Sequence, residues 1–293
     1  MLAIYKKELR SYFCGMIGCI MSAVILAFIG FFTVTLNIAG GDAHFEYAIY
    51  YAVVFFAFVI TVPFITMRSI AEERHSKTEQ LLLSLPVPIY KTVLAKYFAM
   101  LTLICTPVAV TSLYPLVLKA FDTDGIVNLA TAYNAVFMLV LLLSAMVAIG
   151  MFASSLVENQ IIAAVITVGI FFILYFMTTL AALFPTAPIA SLIALILVAV
   201  VLGVIVLTVT KNSTAACIAT GVPAAACIAV YIFNSSLFGG LFPSMLARLA
   251  FFDIYAFGAY TGVLDITAVV YYVSAAALFV FITVENMERR RDH

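Results

Sequence analysis

Apolar runs of about twenty residues recur along almost the whole of this chain, and that repetition limits the fold more than any single motif. A helix crosses a hydrocarbon core of roughly 30 Å with about 20 residues at ~1.5 Å each. Lipid supplies no water to satisfy exposed backbone groups, so only helices or closed barrels span it. A barrel strand would alternate apolar and polar residues, and these runs do not. Runs bounded by charges, Gly and Pro predict spans near 15–36, 48–67, 97–118, 133–153, 160–183, 188–210, 213–234 and 266–284. The expected fold is all-α: a polytopic transmembrane bundle of eight spans in one domain over 1–293.

The formal net charge of zero hides an asymmetry between loops. With both termini in the cytoplasm, Lys6, Lys7, Arg10, Arg68, Arg74, Lys77, Lys91, Lys96, Lys211, Arg289, Arg290 and Arg291 fall inside. Only Lys119 and Arg248 fall outside, which is the positive-inside pattern. The runs at 188–210 and 213–234 are separated by only Lys211 and Asn212, so this hairpin either spans fully or is re-entrant. A lysine at mid-bilayer costs about 2.5–3.5 kcal/mol on insertion scales, which puts the turn at the cytoplasmic surface. Pro223 predicts a kink in the second arm.

The stretch 235–265 is too apolar for an ordinary external loop, yet Gly239, Gly240, Pro243, Arg248 and Asp253 interrupt it. A short helix on the outer surface is expected there, with Phe251, Phe252, Tyr255, Phe257 and Tyr260 as interfacial anchors or, alternatively, a substrate gate. At the N-terminus, residues 2–13 set Leu2, Ile4, Tyr5, Leu9, Tyr12 and Phe13 against Lys6, Lys7, Glu8 and Arg10. This reads as an amphipathic interface helix that stays attached and anchors the first span on anionic lipid, or forms part of a docking surface. The C-terminal Glu285, Glu288 and Arg289 to Arg291 read as a stop signal facing lipid headgroups.

Several chemistries are excluded. No G-x-x-x-x-G-K-[ST] loop occurs, so the chain does not hold ATP in that manner. His44, His75 and His293 are scattered, leaving no histidine-cluster metal site. The five cysteines (Cys14, Cys19, Cys105, Cys217 and Cys227) lie in apolar runs without a CxxC pair, so neither a disulfide framework nor zinc is expected. Acids and bases are essentially missing from mid-span, which argues against an ion-driven transporter and for an apolar path suited to lipidic or peptide cargo. No convergent acid, base or nucleophile set marks a membrane enzyme, and no nucleic-acid partner is expected.

The region 67–96 stands apart, holding Arg68, Glu72, Glu73, Arg74, Lys77, Glu79, Lys91 and Lys96 between two spans. From Ser69 to Leu85 it lacks Pro and Gly, and Ile70, Thr78, Leu81, Leu82 and Leu85 share one helical face, which predicts an amphipathic helix. Pro86 and Pro88 end that helix, and a second restarts near Tyr90 to lead into the next span. The loop over 69–90 is thus a helical hairpin.

This loop resembles that of ABC type-2 exporter permeases, the gliding-motility (GldF-like) permeases in particular, where it reads approximately E-E-[RK]-x-x-G-T-x-E-L-L-x-T-x-P-[VI]. Glu72, Glu73, Arg74, Thr78, Leu81, Leu82, Ser84, Pro86 and Val87 match or nearly match, and VLAKY at 93–97 resembles V-L-G-K-[YF]. Toward the end, Gly262, Asp265, Tyr271, Tyr272 and Ser274 fall in register with the family's last span. Lys77 replaces a usual Gly, Gln80 a Glu, Ala95 a Gly, and Thr267 and Ala268 an Arg-Asp pair.

The resemblance implies a six-span permease core plus the hairpin at 188–234, in a prokaryotic plasma membrane. It implies separate ABC ATPase subunits that hold the ATP and magnesium, and a second permease copy or sister permease. The cytoplasmic helix would then be the coupling element, with Glu72, Glu73, Arg74, Lys77, Thr78, Glu79, Gln80 and Pro86 meeting the ATPase. A coupling element must be stiff and polar, and must continue into the spans it moves. The rival expectation is a membrane anchor or scaffold whose ATPase drives assembly or motion rather than transport.

Overall fold

The structure is a computed structural model and describes residues 1–54, 57–78, 88–121, 127–210 and 213–291. Among the described residues every regular element is helical. The chain begins with α1 (Leu2–Cys14), breaks at Gly15, and continues as α2 (Met16–Phe32), whose end widens into a π-helical segment, Thr33–Ile38. Next come α3 (Phe45–Val54), α4 (Ala57–Thr66) and the single-turn α5 (Ala71–His75). Then follow α6 (Ile89–Thr111), α7 (Tyr114–Phe121), α8 (Leu129–Leu156), α9 (Gln160–Tyr175) and α10 (Met177–Leu183). The remainder holds α11 (Pro188–Thr210), α12 (Ser213–Phe233), a 3-10 turn (Ser235–Phe238), α13 (Leu241–Arg248), α14 (Phe251–Thr261) and α15 (Ile266–Arg291).

Among the described residues four helices are long and apolar enough to cross a membrane: Gly18–Ile38, Ile89–Phe121, Leu129–Leu156 and Ile266–Arg291. The number is up to six if each of two bent pairs, Gln160–Tyr175 with Met177–Leu183 and Ser235–Arg248 with Phe251–Thr261, counts as one span. Helices also occupy the expected runs at 48–67, 188–210 and 213–234, with residues 55–56 and 211–212, including Lys211, outside the described residues.

The chain divides into two compact units, Met1–Phe172 with Phe251–His293, and Ile173–Ala250. The first is organised around α8. Of its best apolar window 72% is buried, against 17–33% for the other three long helices, so α8 is the centre and its neighbours face outward. It packs against α15, α14, α6 and α4, while α1 packs on α6 and α2. In the second unit α11 and α12 pack as a hairpin, and α13 lies against α10 and α11. Phe184 and Phe242 meet edge to face at 4.9 Å, and Gly240 donates its N–H to the Thr186 carbonyl, so this unit has its own contacts.

Two sequence expectations are revised. The helix expected from Ser69 to Leu85 starts as the single turn α5 and is interrupted at Lys77, whose φ of 58° is in the left-handed region; Thr78 is helical again, and residues 79–85 lie outside the described residues. Of the five aromatics expected at the interface, Phe251, Phe252 and Tyr255 are instead buried in α14, while Phe257 and Tyr260 are exposed. Their spacing at 251, 252, 255 and 259 is a helical stripe, and α14 packs it against α8 and α3.

Candidate functional site

One close approach positions the charged loop. A Cβ on Gly150 would lie 2.3 Å from Thr66 Oγ1, so only glycine lets the end of α4 settle onto α8. One helical turn further, on the same face, Ser154 meets the chain as it leaves α4. Its hydroxyl donates to the Met67 carbonyl at 3.1 Å and accepts from the N–H groups of Ile70 (3.3 Å) and Ala71 (3.0 Å). The first turn of α5 has no side-chain cap of its own, so Ser154 caps it from a distant helix.

The C-terminal carbonyls of α8 are the second anchor. They lack helical partners and carry the negative end of the helix dipole, so they attract cations and N–H donors. Arg74 donates to Ser155 O at 3.4 Å and pairs with Glu158 at 3.0 Å. Asn286 donates to Ser155 O and Ser155 Oγ at 3.1 and 3.0 Å, and Arg290 reaches Leu156 O at 3.5 Å. Thus α5 and the end of α15 are pinned to the same turn.

The third anchor is Lys96, 2% exposed at the start of α6. Its ammonium lies 2.7 Å from Glu73 Oε1, donates to Ser69 O at 2.6 Å, and sits 3.9 Å from Glu8 Oε1 on α1. Beside it, Arg68 and Glu72 form a two-pronged pair, both contacts at 2.8 Å. These groups surround a cavity of about 320 Å³ whose walls include Lys7, Glu8, Tyr12, Ser69, Glu73 and Lys96. Burial and the carboxylates of Glu8 and Glu72 hold the Tyr12 phenol above the ordinary tyrosine range, which keeps it a hydrogen-bond donor. A further tie joins α1 to α6, where the hydroxyls of Tyr5 and Thr102 are 3.0 Å apart.

Of the residues singled out in the sequence, the structure brings Glu72, Glu73 and Arg74 into ion pairs within the chain. Lys77 and Thr78 remain on the surface, Thr78 bonding to Ser76 Oγ at 2.9 Å and to Glu73 O at 3.3 Å. Glu79, Gln80 and Pro86 lie outside the described residues. Lys6, Lys7 and Arg10 are exposed on α1. Sequence reasoning missed Lys96 as a hub and Ser154, Ser155 and Asn286 as anchors. The visible signal was a lysine set inside the apolar stretch VLAKYFAM, where an unpaired charge is costly.

At the other end of α8 rings dominate, beside one pair in which the exposed His44 meets the buried Glu46 at 2.9 Å. Tyr47 and Tyr50 of α3 meet Tyr260 edge to face at 4.8 and 5.3 Å, and Tyr50 stacks on Tyr255 at 6.5 Å. Asn134 donates to Gly258 O at 2.9 Å, and Tyr272 donates to Phe251 O at 2.5 Å. Among the described residues no group of His, Cys, Asp and Glu could hold a metal ion.

A helical chain with several membrane-length apolar helices, and a charged loop tied to two of them, is a multi-pass membrane protein. Residues 2–191 match the family described as ABC-2 family transporter protein, and the chain belongs to that family. No curated protein and no solved structure matches it. The matched stretch runs from α1 to the first turn of α11 and contains the charged site except for Asn286 and Arg290 of α15.

Proposed function

We propose that this chain is the permease subunit of an ABC exporter in a prokaryotic plasma membrane. It works with ABC ATPase subunits, which bind ATP and magnesium, and with a second copy of itself or a sister permease. Family membership supports the class. The observation that carries the mechanism is that the root of the 67–96 loop is tied at once to α8 through Ser154 and Arg74, to α6 through Lys96, and toward α1 through Glu8. A pull on this loop therefore reaches several helices rather than one. The exposed Lys77 and Thr78 would face the ATPase, and Glu73 and Arg74 would transmit its movement inward. The site residues thus split between docking and transmission. The cargo is unidentified, and an amphipathic lipid or peptide fits helices with so few buried charges.

The test is recovery of an ATPase with the tagged permease from its own membranes. The wild type should retain one, Lys77→Glu should retain less, and Arg74→Ala should retain it while lowering ATP turnover. A wild-type permease that brings down no ATPase sinks the reading. The eight-span, termini-inside arrangement belongs to the same proposal. A cysteine at Lys211 should label from the cytoplasmic face, and labelling only from outside would overturn it.

A further inference from the structure

Lys96 is the most deeply buried charged side chain among the described residues, and the coupling motif gives it no role. We infer that it is a positioning residue that carries movement of the loop to α1 by passing its ammonium from Glu73 to Glu8. This rests on the permease reading above. An ammonium withdrawn from water is not left without a carboxylate, because the desolvation penalty is too large. Lys96 has two within reach on different elements. Glu73 Oε1, at 2.7 Å, belongs to α5, and Glu8 Oε1, at 3.9 Å, belongs to α1. The second distance is inside ion-pair range and beyond a hydrogen bond.

Any displacement of α5 away from α6 removes two of the present contacts together, Glu73 and the Ser69 carbonyl at 2.6 Å. Glu8 is then the next carboxylate. A lysine has the flexible stem and rotating donors for such a swing, which an arginine fork lacks. The cavity of about 320 Å³ lined by all three side chains gives it room. Arg68 and Glu72 do not compete, since their two-pronged pair engages both. The starting pair is also incompletely satisfied, because among the described residues Glu73 Oε2 is buried without a hydrogen-bond partner, and so it holds α5 less firmly than a closed network would. No proton or ion need enter, since one carboxylate replaces another.

Two measurements test the hand-off. The first uses the permease–ATPase complex in proteoliposomes. Glu8→Gln should keep the ATPase bound at the wild-type level while ATP turnover falls about fivefold or more, and Glu8→Asp should recover part of the loss. Wild-type turnover in Glu8→Gln, or loss of the bound ATPase along with turnover, overturns the proposal. The second needs no ATPase and so separates this idea from the permease reading itself. In thermal melts of the purified chain, Glu8→Gln and Glu73→Gln should each lower the midpoint slightly, and the double variant should lower it by clearly more than their sum. Additive shifts would mean that Lys96 does not exchange partners, whatever the ATPase does.

Discussion

The two ends of α8 hold their neighbours by different chemistry. At the Ser154 end, contacts are ionic or made to helix-terminal carbonyls: Lys96 with Glu73, Arg74 with Glu158, Asn286 and Arg290 on the last turn. At the Asn134 end they are mainly ring on ring, with single hydrogen bonds from Asn134 to Gly258 and from Tyr272 to Phe251 and one local pair, His44 with Glu46, two positions apart on the same segment. Interlocked aromatics have one good arrangement, set by shape. Ion pairs have alternatives, because a cation accepts any carboxylate within reach. On the hand-off proposed for Lys96, one end stays and the other, the mobile end, is the one that carries the loop.

The largest effect should come from the ionic end. Lys96→Met keeps side-chain volume but leaves Glu73, whose side chain is only 16% exposed, without its cation. Breaking one partner of a buried pair costs about 3–5 kcal/mol, so the melt of the purified chain should fall by many degrees. A change within error would show that water already serves Glu73, and would remove the contrast between the two ends. A smaller loss is expected at the aromatic end. Tyr272→Phe deletes the hydroxyl that reaches Phe251 O and leaves the ring between Phe251 and Tyr271. The expected cost is about 0.5–1.5 kcal/mol, read in the same melt, with ATP turnover unaltered. If Tyr272→Phe lowered turnover as Glu8→Gln is expected to, the aromatic end would not be the fixed one.

The helices were legible because apolar length is a property of the chain alone. So was the loop, because eight charges in thirty residues of so apolar a chain need a reason. What was not legible is which way each charge points. Glu73 and Arg74 read as surface residues of an amphipathic helix, yet Glu73 pairs with Lys96 well along the chain and Arg74 reaches Ser155 and Glu158, 81 and 84 positions away, and periodicity does not see such pairs. The role of Ser154 and Ser155 depends on Gly150 having admitted α4 one helical turn earlier, a contact between distant helices that the local sequence does not show. The buried stripe of α14 was obscured by Gly239, Gly240 and Pro243 just upstream, which made the whole segment read as surface.

The smallest expected effect has the opposite sign and comes from Lys77. The permease motif that this loop resembles carries glycine at that place, and the reason is visible: Lys77 follows the cap of α5 with φ 58°, its N–H bonded to Arg74 O at 3.0 Å. That is the left-handed position after a helix end, which glycine fills without strain. A side chain there costs roughly 1–2 kcal/mol, and a glycine gives back about 0.5–1 kcal/mol through its greater freedom when unfolded. Lys77→Gly should therefore stabilise the chain by only about 0.5 kcal/mol, a rise of a degree or so in the melt. The same change removes an exposed cation from the proposed ATPase face, so retained ATPase should fall while stability rises. Lower stability in Lys77→Gly would mean that the turn is set by the residues following it rather than by the end of α5. The mobile end would then owe its shape to the remainder of the loop and not to the helix that Ser154 caps.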